Sequence, residues 1–288
     1  MTAILNVFMR FFFVAIGLIL LSAVVGLFVN GIHPDAGLFI TQIFHIVKSL
    51  AIPENLTFTA INGAEYSIFP HFWEYYFYSL IIFLSSLILS LAMGIVLAYI
   101  TSLLPEKKIH SVAKTVSLLE ALPDLFIIMI IQFGVLVYYK QTGTLLFSIV
   151  SLGDNKTYIF PIIALALIPS IMVYKVILFL VKEEMKKTYV NFAKSTGFSQ
   201  TYIFFHHILR NITPTIVSHS KSILLLLLSS MVIFEQIINI RGIFTFIIEN
   251  PVPNVIAFTL ILFYLPIFLI YALITAWVEK ATAQRLEW

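Results

Sequence analysis

The sequence predicts an all-α integral membrane protein, a six-helix bundle with helical loops, and three observations carry that prediction. Of its 288 residues, 60% are hydrophobic and 11% charged, against roughly half and a quarter in a soluble domain, so too little polar surface remains to wrap an aqueous globule. The apolar residues fall in long unbroken runs where the strands of a membrane barrel would alternate. No hydrophilic stretch is long enough to fold as a separate soluble domain.

Taken in order, each run is judged against the ~20 apolar residues needed to cross about 30 Å of hydrocarbon at about 1.5 Å per residue. The first span is Phe11 to Val29. A single basic residue, Arg10, precedes it and no small-residue cleavage site follows, so it is expected to be a retained helix. Phe39 to Leu50 places apolar residues at helical spacing but is too short to span, which predicts a helix along the interface or capping the bundle. Trp73, Tyr75, Tyr76 and Tyr78 form an aromatic belt before a second span, Phe77 to Leu104. The third span is Leu118 to Tyr138, with Glu120 and Asp124 four apart and expected on one helix face at its inner end. The fourth is Tyr158 to Val181. The fifth has only a short apolar core, Ser222 to Phe234, and needs Thr215 to Lys221 and Gln236 to Ile238 to reach spanning length. The sixth is Val255 to Val278. The organisation that follows is an N-terminal span and outer loop over 1–76, a five-span core over 77–280 and a tail over 281–288.

Six spans put both termini on one side. Eleven of the 17 Lys and Arg residues lie on that side, four on the other and two, Lys175 and Lys221, within spans. The positive-inside rule makes the richer side cytoplasmic. Segment 182–214 is the longest inward loop and reads as two helices. Met185, Tyr189, Phe192 and Ala193 stripe the first, and Gly197 suits the left-handed position that ends it. Ser199 can cap the second, with Tyr202, Phe205, Leu209 and Ile212 on one face and Pro214 at its limit or at the next helix's start. On the residues alone, that stripe suits either a connector resting on the bundle or a surface for a partner.

Candidate chemistry is sparse. The chain has no cysteine, so disulfides and thiolate sites are excluded. None of its 11 glycines precedes a lysine, so no Walker phosphate cradle can form, and any ATP hydrolysis belongs to another chain. No nucleophile, base and orienting group stand at a motif spacing, so no enzyme is expected. His33, His45 and His71 are too far apart in sequence to form a local ligand pair, and no metal site is expected. Ionisable residues at membrane depth are functional candidates. Glu120, Asp124 and Glu235 are therefore taken as possible pore or gate positions.

The segment YVNFAKSTGFSQTYIFFHHILRNITP resembles the cytoplasmic EAA loop of permease subunits in bacterial ABC importers, most closely the dipeptide, oligopeptide and nickel branch. Tyr189, Ala193, Lys194, Gly197, His207, Arg210, Asn211 and Pro214 occupy the matching places. The likeness extends to Gly94, to Pro123 and Phe126 in EALPDLF, and to Glu235 and Gly242 in FEQIINIRGIF, and it alone adds Gly242 to the possible pore or gate positions. Arg241 stands where the family has proline, and the tail VEKATAQRLEW replaces an Asp-Pro-Arg ending. The resemblance implies that the loop is a coupling helix docking on an ATPase, with Phe198, Tyr202 and Phe205 as apolar anchors and Lys194, His206, His207 and Arg210 around them. It further implies a second, related permease forming a heterodimer, two ATPase subunits that bind ATP and Mg, and an extracellular substrate-binding protein. The chain itself holds no cofactor, sits in lipid and has no nucleic-acid partner. Its implied cargo is a di- or oligopeptide, with nickel or another metal chelate as the alternative. The rival function is a non-transporting scaffold or regulator that binds a cytoplasmic partner through 182–214.

Overall fold

A computed structural model describes residues 2–24, 27, 35–53, 56–59, 65–69, 71–151 and 155–282. The elements are α1 (Thr2–Ala23), α2 (Ala36–Ala51), β1 (Thr57–Thr59), β2 (Glu65–Ser67), α3 (His71–Ser102), α4 (Glu106–Glu120), α5 (Asp124–Thr142), α6 (Ile159–Glu184), α7 (Thr188–Ser195), α8 (Gln200–Tyr202), a π-helical turn (Ile203–Ile208), α9 (Leu209–Ile237), α10 (Ile243–Glu249) and α11 (Pro253–Thr282). They form two compact units, one of Met1–Leu80 with Arg241–Leu273, the other of Ile81–Ile240 with Ile274–Trp288.

Among the described residues, five helices are long and apolar enough to cross a membrane: Phe72–Ser102, Leu125–Thr142, Ile159–Glu184, Gln200–Ile237 and Pro253–Thr282. The sequence predicted six. The difference is α1, Thr2–Ala23, whose described apolar part, Val7–Ala23, is shorter than the other five; positions 25–26 and 28–29 of the expected span lie outside the described residues. The third span also starts later than expected. Leu118 to Glu120 belong to α4, and the chain breaks at Ala121–Pro123 before α5 begins at Asp124. Pro123 is the physical reason, since it biases Leu122 away from helical angles and itself sits at φ −60, ψ 141 as the N-cap. Glu120 and Asp124 therefore lie on two separate helices, and the shared face expected of them does not exist.

In the first unit, α2 is capped by Asp35, whose carboxylate accepts from Leu38 N at 3.1 Å. Its inner face carries Ile46 into a cluster with Ala23 and Ala257, joined by Ile19, Phe39, Ile43 and Leu50. It thus packs on α1 and α11 and leaves Ile40, Phe44 and Val47 exposed. An aromatic cluster of Phe69, Phe72, Trp73, Tyr76 and Phe258 surrounds the start of α3. The expected belt is therefore folded into this helix, with Tyr76 and Tyr78 buried and Trp73 half out. Strands β1 and β2 pair antiparallel with Thr57 opposite Ser67, a small departure from the all-α expectation.

In the second unit, α6 is the central span. Half of its apolar stretch is buried, against 11% for α5, so α5 presents most of its surface outward. Gly94 lets α3 approach α6 closely, since a Cβ there would stand 2.3 Å from Val173 Cγ1. Ser86 fastens the same pair by donating to Ile162 O at 3.2 Å. Helix α9 packs along α6. Its outer end turns at Asn239, held at φ 56, and Asn239 Nδ2 donates to Ser151 O at 3.0 Å.

Candidate functional site: the inward loop

The loop is built from a cap, a turn and a cap. Helix α7 is eight residues long and ends in a full Schellman motif, with Phe198 N bonded to Ala193 O and Gly197 N to Lys194 O. Gly197 adopts φ 88, the left-handed value its sequence position called for. Ser199 then accepts from Tyr202 N at 3.2 Å and starts the next helix, as its hydroxyl predicted.

Beyond Ser199 the structure departs from the sequence reading in three ways. Pro214 neither ends nor starts a helix. The segments α8, π turn and α9 run on as one helix of 38 residues, Gln200–Ile237, with Pro214 buried inside it. At about 1.5 Å per residue that helix is about 57 Å long, so roughly half of it extends beyond a hydrocarbon core of about 30 Å. Second, the buried stripe is Ile203, Phe204, Ile208 and Ile212 rather than Tyr202, Phe205, Leu209 and Ile212. The π turn, in which Leu209 N reaches back to Phe204 O, adds a residue to one turn and rotates the face. Third, Met185 caps the end of α6 and is not part of α7.

Several aromatic side chains of the loop are exposed. Phe192 is 69% exposed, Phe198 48%, Tyr202 39% and Phe205 39%. They are ordered rather than scattered. Phe198 stacks on Tyr202 at 4.8 Å and 15°, and Tyr202 stacks on His206 at 4.2 Å and 10°. Tyr99 braces this edge, its ring 5.2 Å from Phe205 and its hydroxyl 2.7 Å from Thr201 Oγ1. Lys182, Lys186, Lys187, Lys194 and Arg210, elsewhere in the loop, are exposed as well.

The remaining loop residues hold the frame. Ala193 is buried under α7. His207 lies against both Phe198 and Tyr202, and its Nε2 is buried with no hydrogen-bond partner among the described residues. With His206, Arg210 and Asn211 it lines a cavity of about 270 Å³. Tyr189 donates to Glu184 Oε2 at 2.5 Å and accepts from the Asn211 side chain. Burial, reinforced by that bond to Glu184, pushes the Tyr189 phenol up to about 12, so it is a neutral donor at physiological pH.

The expected pore or gate residues do not gather at the loop. Glu235 is buried near the outer end of α9 and its carbonyl accepts from Ile240 N at 2.8 Å. Gly242 caps α10, whose first amide, Ile243 N, donates to Ser79 Oγ at 2.7 Å. Of the outer histidines, His33 and the tail 283–288 lie outside the described residues, and His45 Nδ1 pairs with Asn254 Nδ2 at 2.9 Å. The sequence reading missed Glu184 and Tyr99. Lys182–Lys187 alternates charges as a solvated helix end does, and no local pattern tells that Glu184 alone is buried.

No curated protein matches the chain. The family described as binding-protein-dependent transport system inner membrane component matches residues 90–284, about two thirds of the sequence. Members are permease subunits of ABC-type transporters, not catalytic subunits, and generally work with ATPase subunits and a substrate-binding protein, often as a pair of permeases. The match takes in the close α3–α6 crossing, the whole of loop 182–214 and the 38-residue helix that carries its aromatic stack. A multi-pass helical chain of this build, matched over that length, belongs to the family of inner-membrane components of binding-protein-dependent transport systems.

Proposed function

We propose that the chain forms half of the translocation pathway of an ATP-driven importer, paired with a second, non-identical permease, and that loop 182–214 is its coupling element. The supporting observation is the Phe198–Tyr202–His206 stack, exposed near the start of a helix too long for the membrane, in a loop rich in exposed cations. A soluble face left apolar and rigid at this size serves a protein partner. A coupling loop must also move as a unit, and the Schellman turn, Ser199 cap and π turn give it fixed internal geometry.

Six spans and cytoplasmic termini belong to the same proposal. The 22 residues of α1 measure about 33 Å at helical rise, enough to cross the hydrocarbon core. A short peptide is the proposed cargo, on the likeness of the loop to peptide and nickel permeases, with a nickel chelate behind it. Neither cargo has a support in the geometry of the described residues.

The decisive experiment is purification of the native complex with identification of its subunits and bound solute by mass spectrometry. Two nucleotide-binding chains, a second permease and a captured peptide are expected. Phe198→Asp and Tyr202→Asp should each cut recovery of the ATPase about tenfold or more, the loss of ~1.4 kcal/mol or more typical of an interface anchor. A fully active assembly without any ATPase would favour the scaffold or regulator instead.

A further inference from the structure

Glu184 takes no part in the exposed aromatic face, yet it is the one carboxylate at the root of the loop that is withdrawn from solvent, at 7% exposure. Its neighbour Glu183 supplies an internal comparison. Glu183 bonds Lys186 at 3.1 Å with both side chains more than half exposed, a pair that water and salt screen to little value. Glu184 makes the same i,i+3 contact with Lys187, but from a buried carboxylate whose other oxygen accepts the Tyr189 hydroxyl. Tyr189 in turn accepts from Asn211. A buried carboxylate stays charged only where such partners replace water, so these bonds are geometrically exacting in a way the Glu183 pair is not.

The chain positions of these groups give the bonds a mechanical meaning. Glu184 is the last residue of α6, Tyr189 the second residue of α7, and Asn211 lies in α9 just past the π turn. One short network thus ties three helices together. Helix α7 needs such a tie. Eight residues are too few to hold a helix unaided, and Val190 and Ala193 are the only side chains it buries. Apolar contact alone would let α7 slide, because it is not directional. Directional bonds to the ends of both flanking helices stop that slide.

We infer that Glu184 is a positioning residue that locks α7 to the inward ends of α6 and α9, so that a force on α7 moves both spans instead of flexing the loop. The inference rests on the reading that this loop docks on an ATPase. Glu184 touches neither solute nor nucleotide and acts through Tyr189 and Lys187.

Two measurements test it. In the first, the full-length chain is placed in lipid nanodiscs and amide hydrogen exchange is followed over 188–195. Glu184→Gln keeps the shape and removes the charge, and Tyr189→Phe removes one hydroxyl. Each should speed exchange in α7 by about tenfold while the core of α6 is unchanged. Glu183→Gln should match the wild type. In the second, the reconstituted complex is assayed for solute moved per ATP hydrolysed. That ratio should fall about fivefold in Glu184→Gln and Tyr189→Phe, with Glu184→Asp in between. Wild-type exchange in Tyr189→Phe would overturn the lock, and this variant decides the matter even where Glu184→Gln fails to insert. Faster exchange with an unchanged transport ratio would overturn the mechanical role. If no ATPase joins the wild-type complex, the functional reading fails while the exchange measurement still judges the lock.

Discussion

Two loop residues show how much a single side chain, or its absence, decides. Gly197 sits at φ 88 with nothing within 4 Å of the place a Cβ would take, so only backbone strain opposes a larger residue there. Gly197→Ala should cost about 1–2 kcal/mol and Gly197→Asn less, because Asn tolerates the left-handed region. Exchange of the α7 amides measures both, and equal costs would show that space rather than φ is limiting. Tyr189 makes a prediction in pH. Its folded-state phenol is raised from 10 to about 12, so folding favours the protonated form. The stability this contributes is complete below pH 10 and is lost as pH climbs through about 12. A fluorophore on a cysteine introduced at Ser195, in a chain with no cysteine of its own, should report α7 mobility that is flat from about pH 6 to 9 and rises above 10, the rise being absent in Tyr189→Phe. Gly197 and Ser199 were legible in the sequence because their roles are local, a backbone angle and a three-residue hydrogen bond. Glu184 was not, because its burial is a matter of tertiary packing that the local KEEMKK pattern does not carry.

At the scale of elements, the α3–α6 crossing depends on a missing side chain. A Cβ on Gly94 would lie 2.3 Å from Val173 Cγ1 and 2.6 Å from Val173 Cβ, closer than atoms can pack. Gly94→Ala should therefore destabilise by about 1–3 kcal/mol through overpacking. Combining it with Val173→Gly should recover part of the loss, while Gly134→Ala, with nothing within 4 Å, should be tolerated. Thermal unfolding of the purified variants is the readout, and a Gly94→Ala midpoint equal to wild type would argue against the tight crossing. The two prolines also separate what sequence can and cannot tell. Pro123 breaks the chain between α4 and α5, which is proline's local preference. Pro214 lies inside α9, where tertiary packing overrides that preference and buries it. The π turn had no sequence signal at all, and Ile203, Phe204 and Ile208 within it are buried while Tyr202 and Phe205 are exposed.

For the whole molecule, the open structural question is the sixth crossing. The proposed topology places β2 outside and α7 inside. A cysteine at Ser67 should react with an impermeant reagent on intact cells, and one at Ser195 only after permeabilisation. The reverse pattern, or labelling of both from outside, would sink the orientation. The sequence by itself determined that this is a helical membrane protein with a basic loop over 182–214, because the cost of placing polar groups in hydrocarbon is paid residue by residue and so leaves a one-dimensional trace. It also determined where α7 ends and the next helix is capped. Only the tertiary structure decided that the second loop helix and the fifth span are one rod, which aromatic rings that rod shows to solvent, and that Glu184 sits buried at its foot. Those outcomes depend on contacts between segments far apart in the chain, where the periodicity of any one segment carries no information.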